Sequence, residues 1–508
     1  MATRGPPDRN PLHAQGSGRA RRLLRGSRVR LWAASALFLA SVGSACGPTA
    51  GDGSTWITFE HDGKADDADR AVEPTCASPL FHSLFRAAVR AQGNGTVPSS
   101  LLASAESRAE PGILVRTSGY GEIGELLETA QHEVDLQVYS WREGSERAQE
   151  VLGGLKRLEA ARRAVGAPGP VTVRILIDTM TTAPGGSGLI TSAMPSLAAQ
   201  IEALGLDPAF VKVELAAYNH LATGALHSKA LVIDGRTAVV GSGNANWDDQ
   251  RDLAFQVEGK VALALLADFD DAWRRSWLWT CGSQKYLPLD QCAIATEWLG
   301  PIPHQVLPPA PEVAAACVPM LISSRPASAN LFSNSVDNPQ DQIFLAALRE
   351  ARARVRIETP NLNDDAAKQG IVDAAVRGTI VEIVLSKDYE DFTESLPGQG
   401  GTNVQNVAEL YQTLAQAGVT DACSRLQIRW YSHDGVTAVQ GQTGNNHVKY
   451  LSADEQIVIV GSANMDTQSW NKSRELNVVI DEAATTGEWD RTLFEPDFSR
   501  SLPVEQCP

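Results

Sequence analysis

No two cysteines in this chain stand in C-x-x-C spacing, so a zinc site built on paired thiolates has no support. Positive charge is also in short supply: 44 Lys and Arg against 60 Asp and Glu leave a formal net charge of −16. That balance excludes the broad basic field on which nonspecific nucleic-acid binding depends, though it leaves room for a small local phosphate pocket. Long apolar runs are missing too. Residues 31–42 form an apolar segment, but 12 residues cannot span a bilayer as a helix.

That short apolar segment has a different reading. Arginines at 19, 21, 22, 25, 28 and 30 precede it, and Gly43-Ser44-Ala45 follow it into Cys46. Basic, apolar and small residues in that order form a secretory signal over residues 1–45. Its removal would subtract eight arginines and one aspartate, taking the net charge from −16 to −16 − 7 = −23. Two fates are open to Cys46, lipid modification as a new N-terminus or simple cleavage beside it. Gly43 stands where lipid-directing signals usually carry a Leu-like residue, and Arg21-Arg22 is only a weak twin-arginine cue. The expectation is an exported protein: periplasmic, an outer-membrane lipoprotein, or secreted. Cysteines 76, 281, 292, 317, 423 and 507 then remain, an even set that fits disulfides in an oxidising compartment. The local pairing expected is Cys281 with Cys292, across a loop containing Gly, Pro and Asp.

A length of 508 residues gives a prior of about three domains. A flexible N-terminal segment, 46–111, is expected to hold one helix near residues 80–89. Prolines at 301, 303, 308, 309 and 311 mark a linker over 299–317 between two larger blocks, 112–298 and 318–500, with a tail at 501–508.

Each block carries the same cassette. The first has His227-Ser228-Lys229, Asp234 and Gly241-Ser242-Gly243-Asn244; the second has His447-Val448-Lys449, Asp454 and Gly461-Ser462-Ala463-Asn464. In both, Asp lies seven positions after His and Gly seven positions after Asp, while the histidines lie 220 positions apart. The repeat extends outward. Helical spacing over 123–130 and an alternating strand over 134–139 match a helix over 343–351 and a strand over 355–359. Strands at 171–177, 211–215, 230–233 and 238–240 match those at 380–385, 426–430, 450–451 and 457–460. The fold class expected is α/β: two homologous α/β/α sandwich lobes with mixed sheets, packed as a pseudo-twofold pair that brings both histidines to one cleft.

Strand alternation sends His227 and Lys229 to one face, and likewise His447 and Lys449. Lys229, Lys449, Ser242, Ser462, Asn244 and Asn464 together offer donors suited to phosphate oxygens. Neutral imidazole can attack phosphorus, and a second, protonated imidazole can deliver a proton to the leaving oxygen. Such a double displacement through a phosphohistidine has no obligatory metal, so no cofactor is expected. Asp252 in Arg251-Asp252-Leu253 and Glu475 in Arg474-Glu475-Leu476 follow their cassettes, each able to orient its neighbouring histidine.

These residues resemble the phospholipase D superfamily, whose signature H-x-K-x4-D-x6-G-S-x-N is matched twice across roughly residues 112–490. The resemblance implies a bilobal fold, one shared site, His227 as nucleophile, His447 as acid and base, and structural parts for Asp234 and Asp454. A softer likeness to secreted phospholipase-D-like proteins lies in Ser469-Trp470, Glu475-Leu476-Asn477 and Trp247-Asp248-Asp249. The halves differ in the step from Asn to the acidic residue, 8 in the first and 11 in the second. The implied activity is hydrolysis of glycerophospholipids to phosphatidic acid and a head-group alcohol, with transphosphatidylation as a companion reaction, by a monomer at a membrane surface. A cardiolipin-synthase-like phosphatidyltransferase is the alternative, disfavoured at this point by the lack of a membrane span. A nuclease is disfavoured by the acidic charge.

Other residues have blander expectations. His220 and His433 read as solvated loop histidines. Tyr139, Trp141, Thr359 and Asn361 follow the first strand of each block and are as suited to packing as to lining the pocket. Trp273, Trp277 and Trp279 read as part of one helix buried on its own lobe, with a lipid interface as the sharper alternative. The acidic stretch 388–401 is equally a mobile lid or an exposed loop.

Overall fold

The computed structural model describes residues 53–59, 76–91, 103–104, 107–109, 123–178, 193–218, 224–246, 249–274, 276–281, 292–298, 302–311, 317–328, 330 and 333–507. The expected signal at 1–45, Cys46, His220 and the Trp247-Asp248 pair lie outside the described residues.

Among the described residues two mixed nine-stranded sheets form the frame, and their inner order repeats. In the first, Val211–Tyr218, Val171–Asp178 and Glu133–Val138 run parallel, followed by antiparallel Ala230–Ile233, Thr237–Gly241 and Ala254–Gly259. In the second, Leu426–Trp430, Ile380–Leu385 and Arg354–Thr359 are followed by Tyr450–Ala453, Ile457–Gly461 and Glu475–Asp481 in the same sense. Sheets covered on both faces demand strands without a polar side, which explains runs such as Ile175-Leu176-Ile177 and Ile457-Val458-Ile459-Val460. The duplicated α/β/α architecture is therefore present in full.

Each lobe has its own core between sheet and outer helices. Leu136, Val173, Ile175 and Leu155 belong to the first, and Ile357, Ile383, Leu348 and Ile371 to the second. A third apolar cluster joins the lobes. It packs Val232, Val240, Phe255 and Val257 with Tyr450, Val458, Val460, Val478, Trp489 and Phe494. Burial between the sheets thus locks the halves together, which puts the residues at their strand ends opposite one another.

The N-terminal segment is woven into both halves. Ala103–Ser104 extends the second sheet and Ser107–Ala109 the first, while the helix Pro79–Ala91 buries Phe81, Leu84 and Phe85 in the second core. The proline-rich segment 299–317 is more than a spacer: its strand His304–Val306 pairs with Thr55–Ile57, and His304 is fully buried. Disulfides join Cys76 to Cys317 and Cys423 to Cys507. Cys281 stands opposite Cys292 in the ladder of Ser276–Cys281 with Cys292–Trp298, but their side chains lie outside what is described. The tryptophan segment is not one helix: Lys260–Arg274 ends after the buried Trp273, and Trp277 and Trp279 continue in a strand. Among the described residues no helix is long and apolar enough to cross a membrane.

Candidate active site

The two His-x-Lys triplets sit just before the strands Ala230–Ile233 and Tyr450–Ala453, not within them. Each is fixed from behind by the cassette aspartate at the far end of its strand. Asp234 adopts a left-handed φ of 51°, and its carboxylate accepts from the N–H groups of Gln131, His132 and Glu133 at 2.8, 2.8 and 2.9 Å. Asp454, with φ 53°, accepts from Arg352, Ala353 and Arg354 at 2.8, 2.8 and 3.0 Å. Both hold the start of the neighbouring central strand and stand a strand's length from the histidines.

The histidine–carboxylate pairs are crossed between lobes. Nδ1 of His227 lies 2.9 Å from Oε1 of Glu475, and Nδ1 of His447 lies 2.7 Å from Oδ1 of Asp252. The backbone dictates the crossing. The N–H of His227 donates to Arg474 O at 2.8 Å, and the N–H of Arg474 donates to Ala225 O at 2.7 Å. On the other side Arg251 N–H donates to Asn445 O at 3.0 Å, and His447 N–H donates to Arg251 O at 2.8 Å. Each acidic residue follows an arginine held in an interlobe bridge, so it arrives beside the histidine of the opposite lobe. An ionised carboxylate only accepts, so each Nδ1 carries the proton and each Nε2 is left with its lone pair.

The arginines anchor the crossing with their side chains. Arg474 reaches Asp268 at 2.6 Å and Asp271 at 2.7 Å on the helix Lys260–Arg274, and Arg251 pairs with Asp497. Arg147, wholly buried at the start of the helix Glu146–Ala164, adds a 2.6 Å ion pair to Asp252. The repeated Arg-acid-Leu triplets hinted at Arg251 and Arg474. Nothing in the sequence pointed to Arg147.

The cassette serines have a different part from the phosphate contact expected of them. Ser242 Oγ donates to Asp252 Oδ1 at 2.8 Å, and Ser462 Oγ donates to Glu475 Oε2 at 2.5 Å. Each hydroxyl also accepts a backbone N–H, from Leu253 or Leu476 respectively, at 2.9 Å. A hydroxyl has one proton to give, and here the carboxylate takes it. Ser242 and Ser462 therefore aim the carboxylates that aim the histidines. Lys229 and Lys449 each donate to the carbonyl of the histidine two residues before, the latter at 2.6 Å, which holds both ammonium groups beside the rings.

His227, His447, Asn244, Asn464, Tyr139 and Tyr389 line one cavity of about 100 Å³, which Asn246, Gln250, Glu390 and Gln442 complete. Its size suits a phosphoryl group and its nearest substituents. Burial, with the nearby lysines, lowers His227 despite Glu475, and burial with Lys449 pushes His447 down to about 3. Burial also brings Lys229 down to about 7 and Lys449 well below its ordinary value. Burial opposes ionisation of Asp252 and Glu475 as well, but Arg147 and His447 hold the first below the usual range, and His227 and Lys229 hold the second. Burial thus favours the neutral forms of these rings and lysines, and a phosphate anion beside them would favour the protonated ones.

One measurable consequence concerns Lys229. Above about pH 7 its ammonium is deprotonated in the empty site, so phosphodiester binding at about pH 8 should draw in a proton. Titration calorimetry with dimethyl phosphate in two buffers of different ionisation enthalpy should show that uptake, with affinity falling as pH rises. Lys229→Met should remove this part of the uptake; an uptake that survives the substitution would overturn the assignment.

The remaining expected positions separate cleanly. Tyr139 lies 5.3 Å from His227 between ring centroids, and Tyr389 is stacked 6.1 Å from His447. Trp141 is buried behind the first turn through its bridge to Ala245. Thr359 and Asn361 are buried behind the second: Thr359 Oγ1 accepts from Met465 N–H, and Asn361 Nδ2 donates to Glu394 at 3.0 Å. His433 is exposed against Tyr431. The stretch 388–401 contains a short helix, Asp391–Glu394, and is pinned by Glu394 to Asn361 and Asn363. Its start supplies Tyr389 and Glu390 to the cavity wall, a contribution that composition alone did not reveal.

A separate cluster, Glu133, Asp135 and His304, places potential metal-ligating atoms within 4.8 Å of one another. Arg174 Nη1 already stands 3.2 Å from Glu133 and 3.0 Å from Asp135, and His304 is raised to about 10 by its carboxylates against the effect of burial. The cluster reads as a charge-balanced network at the opposite end of the strand Glu133–Val138 from Tyr139.

A family model described as "Cardiolipin synthase, PLD-like domain" matches residues 123–273 and 344–495. "Cardiolipin synthase 1" of Bacillus anthracis is 24% identical over 401 residues, 76% of this chain and 65% of that protein. "Phospholipase D" of Streptomyces antibioticus is 23% identical over 344 residues, 56% of this chain and 60% of that protein. The chain thus spans somewhat under two thirds of the length of these relatives. A crystal structure of phosphatidylserine synthase from Haemophilus influenzae Rd KW20 has the same fold, with TM-score 0.51 and 13% identity over 82% of this chain and 92% of that one.

Proposed function

The chain belongs to the cardiolipin-synthase, phospholipase-D-like family, with a catalytic domain of the phospholipase D type, and from that premise we propose that it transfers phosphatidyl groups between alcohols. The observation that carries the reading is the pair of crossed histidine–carboxylate contacts around one cavity. Cardiolipin synthases match over 76% of the chain, which supports transfer above the hydrolysis that the sequence alone favoured. Water remains a competing acceptor at the same position.

In this mechanism Nε2 of His227 attacks the phosphorus of a phospholipid. The phosphorus–oxygen bond to the head group breaks, and His447 gives its Nε2 proton to the departing alkoxide. His447 acquires that proton when the phosphodiester anion enters beside it. A second alcohol then occupies the place of the first, yields its proton to His447 and displaces His227, so both rings return to their starting state. Lys229, Lys449 and Asn244 hold the phosphoryl oxygens, and stabilise the charge that grows on them in each displacement. Asp252 and Glu475 orient the rings and steady the imidazolium that forms.

The site's place in the cell is part of the proposal. The disulfides Cys76–Cys317 and Cys423–Cys507 fit an oxidising compartment, which supports export and contact with a membrane surface from outside the cytoplasm. Purified protein incubated with mixed phospholipid vesicles, DNA, a chelator and a primary alcohol should yield the phosphatidyl-alcohol. Phosphatidic acid alone would replace transfer by hydrolysis; cleaved DNA beside untouched lipid would sink both.

A further inference from the structure

The closing turns of the two cassettes differ at one position: Gly243 stands where the second copy has Ala463. That difference acquires a cause only in three dimensions. A Cβ on Gly243 would lie 2.5 Å from Nη1 of Arg147 and 2.9 Å from Oδ2 of Asp252, so glycine leaves room for their ion pair. Ala463 is buried at the equivalent place and keeps its methyl group. Arg147 is the second residue after Ser145, the N-cap of its helix; the corresponding helix of the second lobe has N-cap Asp364 and therefore Ala366 in that place. A cation in the first turn opposes the helix dipole, so Arg147 is set against local preference.

The guanidinium touches two parts of the first half-site. Its Nη1 stands 2.6 Å from Asp252 Oδ2 and donates to Asn244 O at 2.9 Å. Oδ1 of the same carboxylate accepts from Ser242 and faces His447 Nδ1 at 2.7 Å. Asp252 thus divides its oxygens between an arginine and a histidine. Glu475 does not: both of its oxygens lie beside Nδ1 of His227, at 2.9 and 3.0 Å, and Ser462 donates to one of them. Among the described residues no arginine forms an ion pair with Glu475. Arg325, which donates to Ser473 O at 2.8 Å, meets its charge only at longer range.

Resting on the phosphatidyl-transfer reading, we propose that Arg147 is the positioning residue that makes the two histidines unequal: by engaging one oxygen of Asp252 it leaves His447 the readier proton donor, while Glu475 backs His227 with both. A carboxylate that shares its charge with a guanidinium stabilises an imidazolium less, which suits a ring that must release a proton to a departing alkoxide. An undivided carboxylate stabilises the positive charge that His227 carries once it has bonded to phosphorus. Lys449, Lys229 and Tyr389 also face Asp252 or His447 from other segments, and they are common to the protein and its Arg147 variants.

NMR titration with isotope-labelled histidine rings and dimethyl phosphate bound tests this. In the unaltered protein His447 should release its proton at a lower pH than His227; the reverse order would overturn the proposal without recourse to any variant. Arg147→Gln removes the charge, so His447 should keep its proton to a pH about one unit higher, with His227 moved by less than about 0.3. Arg147→Lys should bring His447 back. The alkaline limb of kcat for head-group release from phospholipid should move up with His447, because that ring must hold a proton when the head group leaves. A brace that serves stability alone would lower resistance to denaturant and leave both readings where they were; that result, or equal movement of the two rings, would overturn the assignment. A shifted His447 in protein that releases no head group from mixed phospholipid vesicles would instead sink phosphatidyl transfer and leave the part of Arg147 standing.

Discussion

His447→Asn should slow turnover by about a thousandfold or more and leave a phosphoryl adduct on His227, because the ring that activates the second alcohol is gone. His227→Asn should be as inactive but accumulate no adduct. The contrast reads out an order that the geometry leaves nearly symmetric: each ring has a carboxylate at Nδ1, at 2.9 Å for His227 and 2.7 Å for His447, and each lines the same cavity. Mass spectrometry of acid-quenched protein after mixing with phospholipid is the measurement. An adduct on His447 in the His227 variant would reverse the roles. Full activity in either variant would end the shared-site mechanism altogether.

The electrostatic surroundings break that near-symmetry in one respect. Asp252 is held by the buried Arg147 in addition to His447, whereas Glu475 shares its charge with His227, Lys229 and Ser462. Burial outweighs the carboxylates at both rings and favours their neutral forms. In the proposed transfer neutral His227 attacks, and His447 acts as an acid once the substrate's charge stands beside it.

The second large effect is on stability. Arg474→Met should destabilise the protein by about 3–5 kcal/mol, since it removes the cation from the buried Asp268 and Asp271 and strands two carboxylates between the lobes. Denaturant unfolding measures it, and a loss within about 0.5 kcal/mol would mean that the clamp contributes little. Combining the substitution with Asp268→Asn and Asp271→Asn should recover part of the loss, because the stranded charges go with the arginine. A residual effect on the pH profile of turnover is also expected, since the Arg474 carbonyl holds the His227 backbone.

Much of this molecule was legible in the chain. The alternation at 134–139 and 355–359, the apolar runs at 171–177 and 380–385, and the turns at Asp234 and Asp454 all stand where periodicity places them, because local backbone preference and burial agree there. Where they conflict the reading slipped. The segment 267–279 carries helix-like spacing through Trp273, yet the chain turns into a strand at Ser276 to complete the edge of a sheet. The proline cluster reads as a linker, but His304 is drawn into a buried ion-pair network by Glu133 and Asp270.

The sequence by itself determined that two equal cassettes exist, that they are borne on duplicated α/β lobes and that their histidines belong to phosphoryl chemistry. Spacing and residue type suffice for that, being local properties. Only the tertiary structure decided that Glu475 serves His227 and Asp252 serves His447, and that the serines hold carboxylates. The histidine–carboxylate assignments come from backbone bridges and side-chain orientations between segments some 200 residues apart, set by the apolar packing of one sheet against the other. Duplication makes each half's partner look identical in the chain; only the interface distinguishes its own from its neighbour's.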